Sequence, residues 1–241
     1  MTNEEILKVG CCGFGMGQAK YIEAFDTVEV QQTFYQPPKI KTLSQWRTTA
    51  PPSFDFAIKA WQLITHTSRS PTYRRLRKDL SAREAAEAGN FSDSVIVKEA
   101  WQVTLECAEA LNASHILFQC PASFKPTEAN LQNMRVFFSS IERSGNRLLC
   151  WEPRGKGWTN EVVVRLCEEL DLVHVVDPFV SRSVTSWNFY YRLHGRTGWR
   201  HNFELTELET LKLLIPAHTP GRIYFNNARM VEDASTFKTL L

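Results

Sequence analysis

The stretch Arg147–Pro178, RLLCWEPRGKGWTNEVVVRLCEELDLVHVVDP, decides the fold. Two nearly continuous apolar runs, Arg147–Arg154 and Leu172–Pro178, flank Thr159–Leu170, whose apolar residues recur at three- and four-residue intervals behind a threonine suited to cap a helix. Short runs rich in β-branched and aromatic residues, apolar on both faces, belong to parallel strands covered by helices. The stretch therefore reads as strand, helix, strand.

The same alternation extends in both directions. Further strands are expected at Lys8–Phe14, Thr27–Tyr35, Phe54–Trp61, His115–Pro121, Trp187–Gly195 and Arg222–Arg229. Further helices are expected at Lys41–Ala50, Val95–Asn112, Thr127–Ser144, Thr206–His218 and in the tail Glu232–Leu241. Eight such strands in 241 residues predict an α/β protein with a (β/α)8 barrel, one domain over residues 1–241. An open doubly wound sheet would carry a G-x-G-x-x-G turn, whereas Gly10, Gly13, Gly15 and Gly17 are spaced G-x-x-G-x-G-x-G and no acid closes the second strand where that fold needs one. The one irregular stretch, Gln62 to Ser94, is an insertion after the third strand. It holds Arg69, Arg74, Arg75, Arg77, Lys78 and Arg83 among Tyr73, Phe91 and several hydroxyl residues. It reads either as a basic loop covering an anionic substrate or, the favoured reading, as a solvated helix on which Glu84 and Glu87 balance some of the charge.

Composition narrows the class. With 43% hydrophobic and 22% charged residues the chain is neither disordered nor a disulfide-stapled mini-protein. Its 28 Lys+Arg against 26 Asp+Glu leave a net charge of +2, far from a dedicated nucleic-acid binder. No apolar run reaches the roughly 18 residues needed to cross a bilayer, and the first residues, Met1 to Lys8, carry acids where a leader would carry bases. A cytoplasmic protein with no membrane partner is expected. The six cysteines, Cys11, Cys12, Cys107, Cys120, Cys150 and Cys167, lack C-x-x-C spacing and read as reduced core residues, with a reactive thiol at Cys11 or Cys12 as the alternative. No G-x-S-x-G elbow, phosphate loop or H-E-x-x-H helix is present.

The informative polar residues fall where the expected strands end. They are Glu29, Gln31 and Gln32 on the second, Lys59 on the third, Gln119 on the fourth, Glu152 and Arg154 on the fifth, Asp177 on the sixth, Arg192 and His194 on the seventh, and Asn226 and Asn227 on the eighth. A charge on a strand buried on both faces costs several kcal/mol unless it is paired or meets a ligand, and barrels carry their chemistry at this end. Alternation puts Glu152 with Arg154, and Arg192 with His194, on common faces. A structural ion network of Glu29, Glu152 and Asp177 with Lys59, Arg154 and Arg192 is the competing account. His66 closely follows the third strand and is a candidate acid, base or ligand, whereas His115 and His174 read as structural. No metal-ligand set is predicted, because H-x-x-x-H and H-x-D spacings are missing and cations crowd the region, although a divalent metal stays open as a cofactor. Phe34, Tyr35, Trp158 and Trp199 sit where they can wall a pocket, the other tryptophans being mostly core or packing between helix and barrel.

In order along the chain, these residues resemble the YecE-like family, also called domain of unknown function 72. Its Gly-x-x-Gly opening is similar to Gly10 to Gly13, and its V-E-[IV]-N-x-[ST]-F-Y segment to Val28–Tyr35, with Trp46 and Pro52 following. The F-x-F-x-x-K and T-H motifs resemble Phe54 to Lys59 and Thr65-His66. The remaining motifs resemble Gln119-Pro121-Phe124, Glu152-Arg154-Trp158, Asp177, Arg192-His194-Gly195-Arg196 and Phe225-Asn226-Asn227. The chain departs at Gln31, where the family usually has Asn, and at Ala228, where it often has His or Asp. The resemblance implies a TIM-type barrel and a site, but no reaction.

The resulting expectation is an enzyme that binds a small polar anionic substrate, a phosphorylated sugar or nucleotide fragment, with hydrolysis, isomerisation and lyase chemistry all open. Glu29, Glu152, His66, His194 and Asp177 are the candidate catalytic residues. Lys59, Gln119, Arg154, Arg192, Asn226, Asn227, Tyr35 and Trp158 are the candidate substrate-binding ones. Two other classes compete: a nucleic-acid-binding protein or nuclease using the basic insertion 69–83, and a non-catalytic ligand sensor.

Overall fold

Strands and helices alternate along the computed structural model, which describes residues 7–143 and 145–241. The acids within residues 1–6 and the expected helix end at Ser144 lie outside the described residues. In chain order the elements are β1 (Leu7–Cys11), α1 (Gln18–Ala24), β2 (Thr27–Val30), α2 (Gln32–Tyr35), α3 (Ile40–Thr49), β3 (Asp55–Lys59) and α4 (Gln62–Thr65). A 3-10 turn (Pro71–Arg75) and α5 (Ala82–Glu87) lead to α6 (Val95–Leu111), β4 (His115–Gln119), α7 (Glu128–Ser140), β5 (Leu148–Glu152), α8 (Asn160–Leu170) and β6 (Val173–Val176). The chain closes with β7 (Phe189–Leu193), α9 (Leu205–Leu213), β8 (Gly221–Phe225) and α10 (Met230–Lys238). The eight strands follow one another in sequence order around a closed barrel, parallel wherever their register is described. The fold is the (β/α)8 barrel read from the sequence.

Contacts group the chain into two compact units. The first comprises Met1–Val30, Ala50–Phe56 and Val173–Leu241. Here β1 pairs with β2, Gly10 standing opposite Thr27, and with β8 over its whole length. Gly10 is required by that first pairing, since a Cβ on it would lie 2.0 Å from the Thr27 carbonyl oxygen. Gly10 is thus a packing residue. The Tyr21 hydroxyl locks the same corner, accepting from the Cys11 amide at 2.6 Å and donating to the Thr27 carbonyl at 3.0 Å.

The second unit comprises Gln31–Thr49 and Ala57–Leu172. Its ladder runs from β3 through β4 to β5, with Lys59 opposite Leu117 and Gln119 opposite Glu152. Phe91, Phe118, Phe137 and Phe138 pack against one another, tilted or edge to face, and fasten α7 to the sheet. Thr127 and Thr159 cap α7 and α8 as their sequence predicts.

Three expectations shift. The second strand stops at Val30, and Gln32 to Tyr35 form a helical turn closed by the Gln36 amide donating to the Gln32 carbonyl at 3.0 Å, so Gln31 and Gln32 are not strand residues. Helix α9 ends at Leu213 rather than at His218, because Pro216 disfavours helix in the residue before it. The insertion, finally, is not wholly irregular: two short helices and a 3-10 turn are joined by loop. Helix α5, where Glu84 pairs with Lys78 and Glu87 with Arg83, is the solvated helix of the favoured reading. The cysteines are free and buried, as expected. Among the described residues no helix is long and apolar enough to cross a membrane.

Candidate functional site

In the second unit, charged groups gather at the carboxyl ends of β3 and β5. Lys59 is the last residue of β3 and only 4% exposed. Its carbonyl accepts the Thr33 hydroxyl at 2.7 Å, and its Nζ lies 3.6 Å from the centroid of the Phe34 ring. The helical turn that displaced the end of the second strand is what brings Phe34 under this ammonium, where the ring face offsets part of its desolvation. His66, also 4% exposed, meets the same ring edge-on at 4.9 Å. Its Nδ1 lies 2.7 Å from the Thr65 hydroxyl, and its carbonyl accepts the Tyr73 hydroxyl at 2.7 Å. Burial first, then the charges of Lys59 and Arg154, push the imidazole down to about 3, so His66 is neutral at physiological pH.

Glu152 ends β5 and is buried, with Arg154 on the same face of the chain, as the alternation predicts. Arg154 donates from both Nε and Nη2 to Glu152 Oε1, each at 2.7 Å. Gln119 is the ladder partner of Glu152. Trp158 packs flat on Phe124, its indole N–H donating to the Phe124 carbonyl at 3.1 Å. Tyr35 carries the Arg75 guanidinium over its ring at 3.6 Å.

In the first unit, Glu29 and Arg192 are 0% and 1% exposed. Arg192 donates from Nε to Glu29 Oε2 and from Nη2 to Oε1, both at 3.0 Å, and the Tyr190 hydroxyl adds 2.7 Å to Oε2. This is a bidentate buried pair of the kind the structural account describes. From Arg192 the network continues to His194 Nε2 at 3.3 Å, and Asp177 Oδ2 accepts the His194 amide at 3.0 Å with the His194 Nδ1 at 3.8 Å. Tyr190 was not singled out from the sequence, yet it lies two residues before Arg192 on the same strand face, which is the signal that finds it. Cys12 sits beside Arg192 Nη2 at 3.6 Å, and burial, followed by the Glu29 charge, pushes its thiol well up. Both influences disfavour its thiolate.

The Asn pair after β8 divides. The Asn226 amide donates to the Leu193 carbonyl, which continues the β7 ladder. The Asn227 side chain is turned to the tail, donating to the His201 carbonyl at 2.8 Å and to Asp233 Oδ2 at 2.6 Å. Trp199 is 63% exposed. Among the described residues no three His, Cys, Asp or Glu side chains are grouped to hold a metal.

A family model described as "Protein of unknown function DUF72" matches residues 18–241. The chain belongs to the DUF72 family. A DUF72 family protein from Enterococcus faecalis V583 superposes with a TM-score of 0.72 at 19% identity, covering 98% of this chain and 97% of that one. Another DUF72 protein, from Thermotoga maritima MSB8, gives 0.69 at 20% identity with 98% of each chain covered. Outside the family, a xylose isomerase domain containing protein from Salmonella typhimurium LT2 gives 0.58 at 11% identity, covering 98% and 95%. No curated protein matches the chain in sequence.

Proposed function

We propose that this DUF72 protein is an enzyme that binds a small polar anion, a phosphorylated sugar or nucleotide fragment, at the carboxyl ends of β3 and β5. Lys59 and Arg154 hold the anionic group, Glu152 is the carboxylate that moves a proton, and His66 supplies a neutral imidazole as hydrogen-bond partner. What carries the reading is the juxtaposition of a nearly buried ammonium, a guanidinium and an imidazole held neutral beside them. Burial accounts for most of the depression of His66, and the Lys59 and Arg154 charges add to it; an anion is the ligand that would offset those two charges. Charge-assisted hydrogen bonds to such a ligand are strong because the site is desolvated. Proton transfer beside a fixed anion underlies hydrolysis, isomerisation and elimination alike. Glu29 and Arg192, sealed and mutually satisfied, are assigned a structural role. The solved neighbour named for a xylose isomerase domain has the same barrel, which is in keeping with an enzyme.

A thermal-shift screen of sugar phosphates and nucleoside monophosphates tests the reading. A ligand at about 100 times its dissociation constant should stabilise the protein by roughly 2.7 kcal/mol. Lys59→Met and Arg154→Gln should remove that stabilisation, and hits undiminished in both would overturn the site. Glu152→Gln should keep binding and lose turnover; a ligand that binds the wild type and is never converted would instead mark a sensor.

A further inference from the structure

The insertion builds a second charged feature. A groove of about 630 Å³ opens between the chain around α2 and the 3-10 turn, lined by Tyr35, Gln36, Lys39, Arg74, Arg75 and Arg77 among others. That volume lies within the roughly 300 to 1,000 Å³ of small-molecule sites. Its two walls are tied together: the Arg77 amide donates to Gln36 Oε1 at 3.0 Å, and the Arg75 guanidinium rests on the Tyr35 ring. No acid lines the groove, and among the described residues none of Lys39, Arg74, Arg75 and Arg77 forms an ion pair. Two other basic groups of the insertion behave differently. Lys78 is bridged to Glu84 at 3.2 Å and Glu99 at 3.3 Å, and Arg83 to Glu87 at 2.8 Å. The charges of Lys78 and Arg83 are thus neutralised, whereas those lining the groove are left standing.

We infer that this groove binds a small molecule carrying two or more phosphate groups. Four uncompensated cations match the charge of a diphosphate better than that of a single phosphate. Arginine suits the task because a guanidinium stacked on an aromatic face keeps its edge N–H groups free for bidentate contact with phosphate oxygens. A polynucleotide would call for a basic track reaching along the insertion, and Lys78 and Arg83 interrupt such a track with their acids. None of the groove cations takes part in the anion clamp proposed above, so the two sites can fail separately.

Titration calorimetry with inorganic pyrophosphate, at about 0.15 M salt, tests it. Pyrophosphate should bind saturably and more tightly than orthophosphate. The double variant Arg74→Gln/Arg77→Gln, at exposed positions whose loss leaves the backbone tie to Gln36 in place, should weaken binding by at least about tenfold while retaining the wild-type circular dichroism. Arg83→Gln should change it by less than about twofold. Absence of saturable binding would overturn the assignment, as would undiminished affinity in the double variant or an equal loss in Arg83→Gln. Tighter binding of a single-stranded DNA oligonucleotide that displaces pyrophosphate would overturn it in favour of a polynucleotide.

Discussion

His66 shows how one side chain ties the candidate site to stability. Its folded value near 3 lies below the ordinary 6.5, so between those values the unfolded chain takes up a proton that the folded chain refuses. The stabilisation is complete above pH 6.5 and is lost as the pH falls toward 3, by about 1.4 kcal/mol per pH unit. Urea unfolding at pH 6.5 and pH 5 should therefore find that His66→Gln loses about 2 kcal/mol less than the wild type over that step. Equal losses would mean that the imidazole is not held neutral. The Glu29–Arg192 pair obeys different arithmetic, since removing one buried partner strands the other. Arg192→Leu should destabilise by about 3 to 5 kcal/mol in urea, and adding Glu29→Leu should restore part of that loss. Pairs such as Glu152 with Arg154 were legible in the sequence because alternation along one strand is local information. The partnership of Glu29 with Tyr190 and Arg192 joins residues 161 and 163 positions apart, and no local pattern announces it.

Elements were legible where periodicity and capping agree, as in α8 behind Thr159, and less so where a few side chains decide. The turn at Gln32–Tyr35 reads as a continued strand because Thr33, Phe34 and Tyr35 are all good strand residues. Tertiary contacts override that preference: the Thr33 hydroxyl is held by the Lys59 carbonyl, and Phe34 is enclosed beneath Lys59 and His66. At the opposite extreme, the β1 to β2 pairing depends on the absence of a side chain. Gly10→Ala would drive a methyl group to 2.0 Å from the Thr27 carbonyl oxygen and 2.8 Å from its carbon, both backbone atoms that cannot swing aside. The strands must part, so a loss of about 3 kcal/mol is expected in chemical denaturation. A loss below about 1 kcal/mol would mean that the two strands are not so closely paired.

At the scale of the molecule, the barrel followed from repeated alternation of nearly continuous apolar runs with segments of helical period, a property distributed over the chain and therefore robust to errors at any one element boundary. The charge pattern of the insertion was visible as composition, but which cations are neutralised depends on where Glu84, Glu87 and Glu99 fold to, and that is not written locally. The cysteines give a readout of the whole fold. They are spread from Cys11 to Cys167, and all six are free and buried. Burial is the largest influence on Cys11, Cys107, Cys120 and Cys167, pushing each up to about 12, so the thiolate that attacks a disulfide reagent is scarce as well as shielded. Labelling must then await opening of the structure, and its rate reports the population of open forms. In native buffer an aromatic disulfide reagent should find less than about one fast thiol per chain, and after urea denaturation all six. A fast stoichiometric phase in the native protein, traced by mass spectrometry to Cys11 or Cys12, would restore the reactive-thiol reading and show that the corner between β1 and β2 opens far more readily than its packing implies.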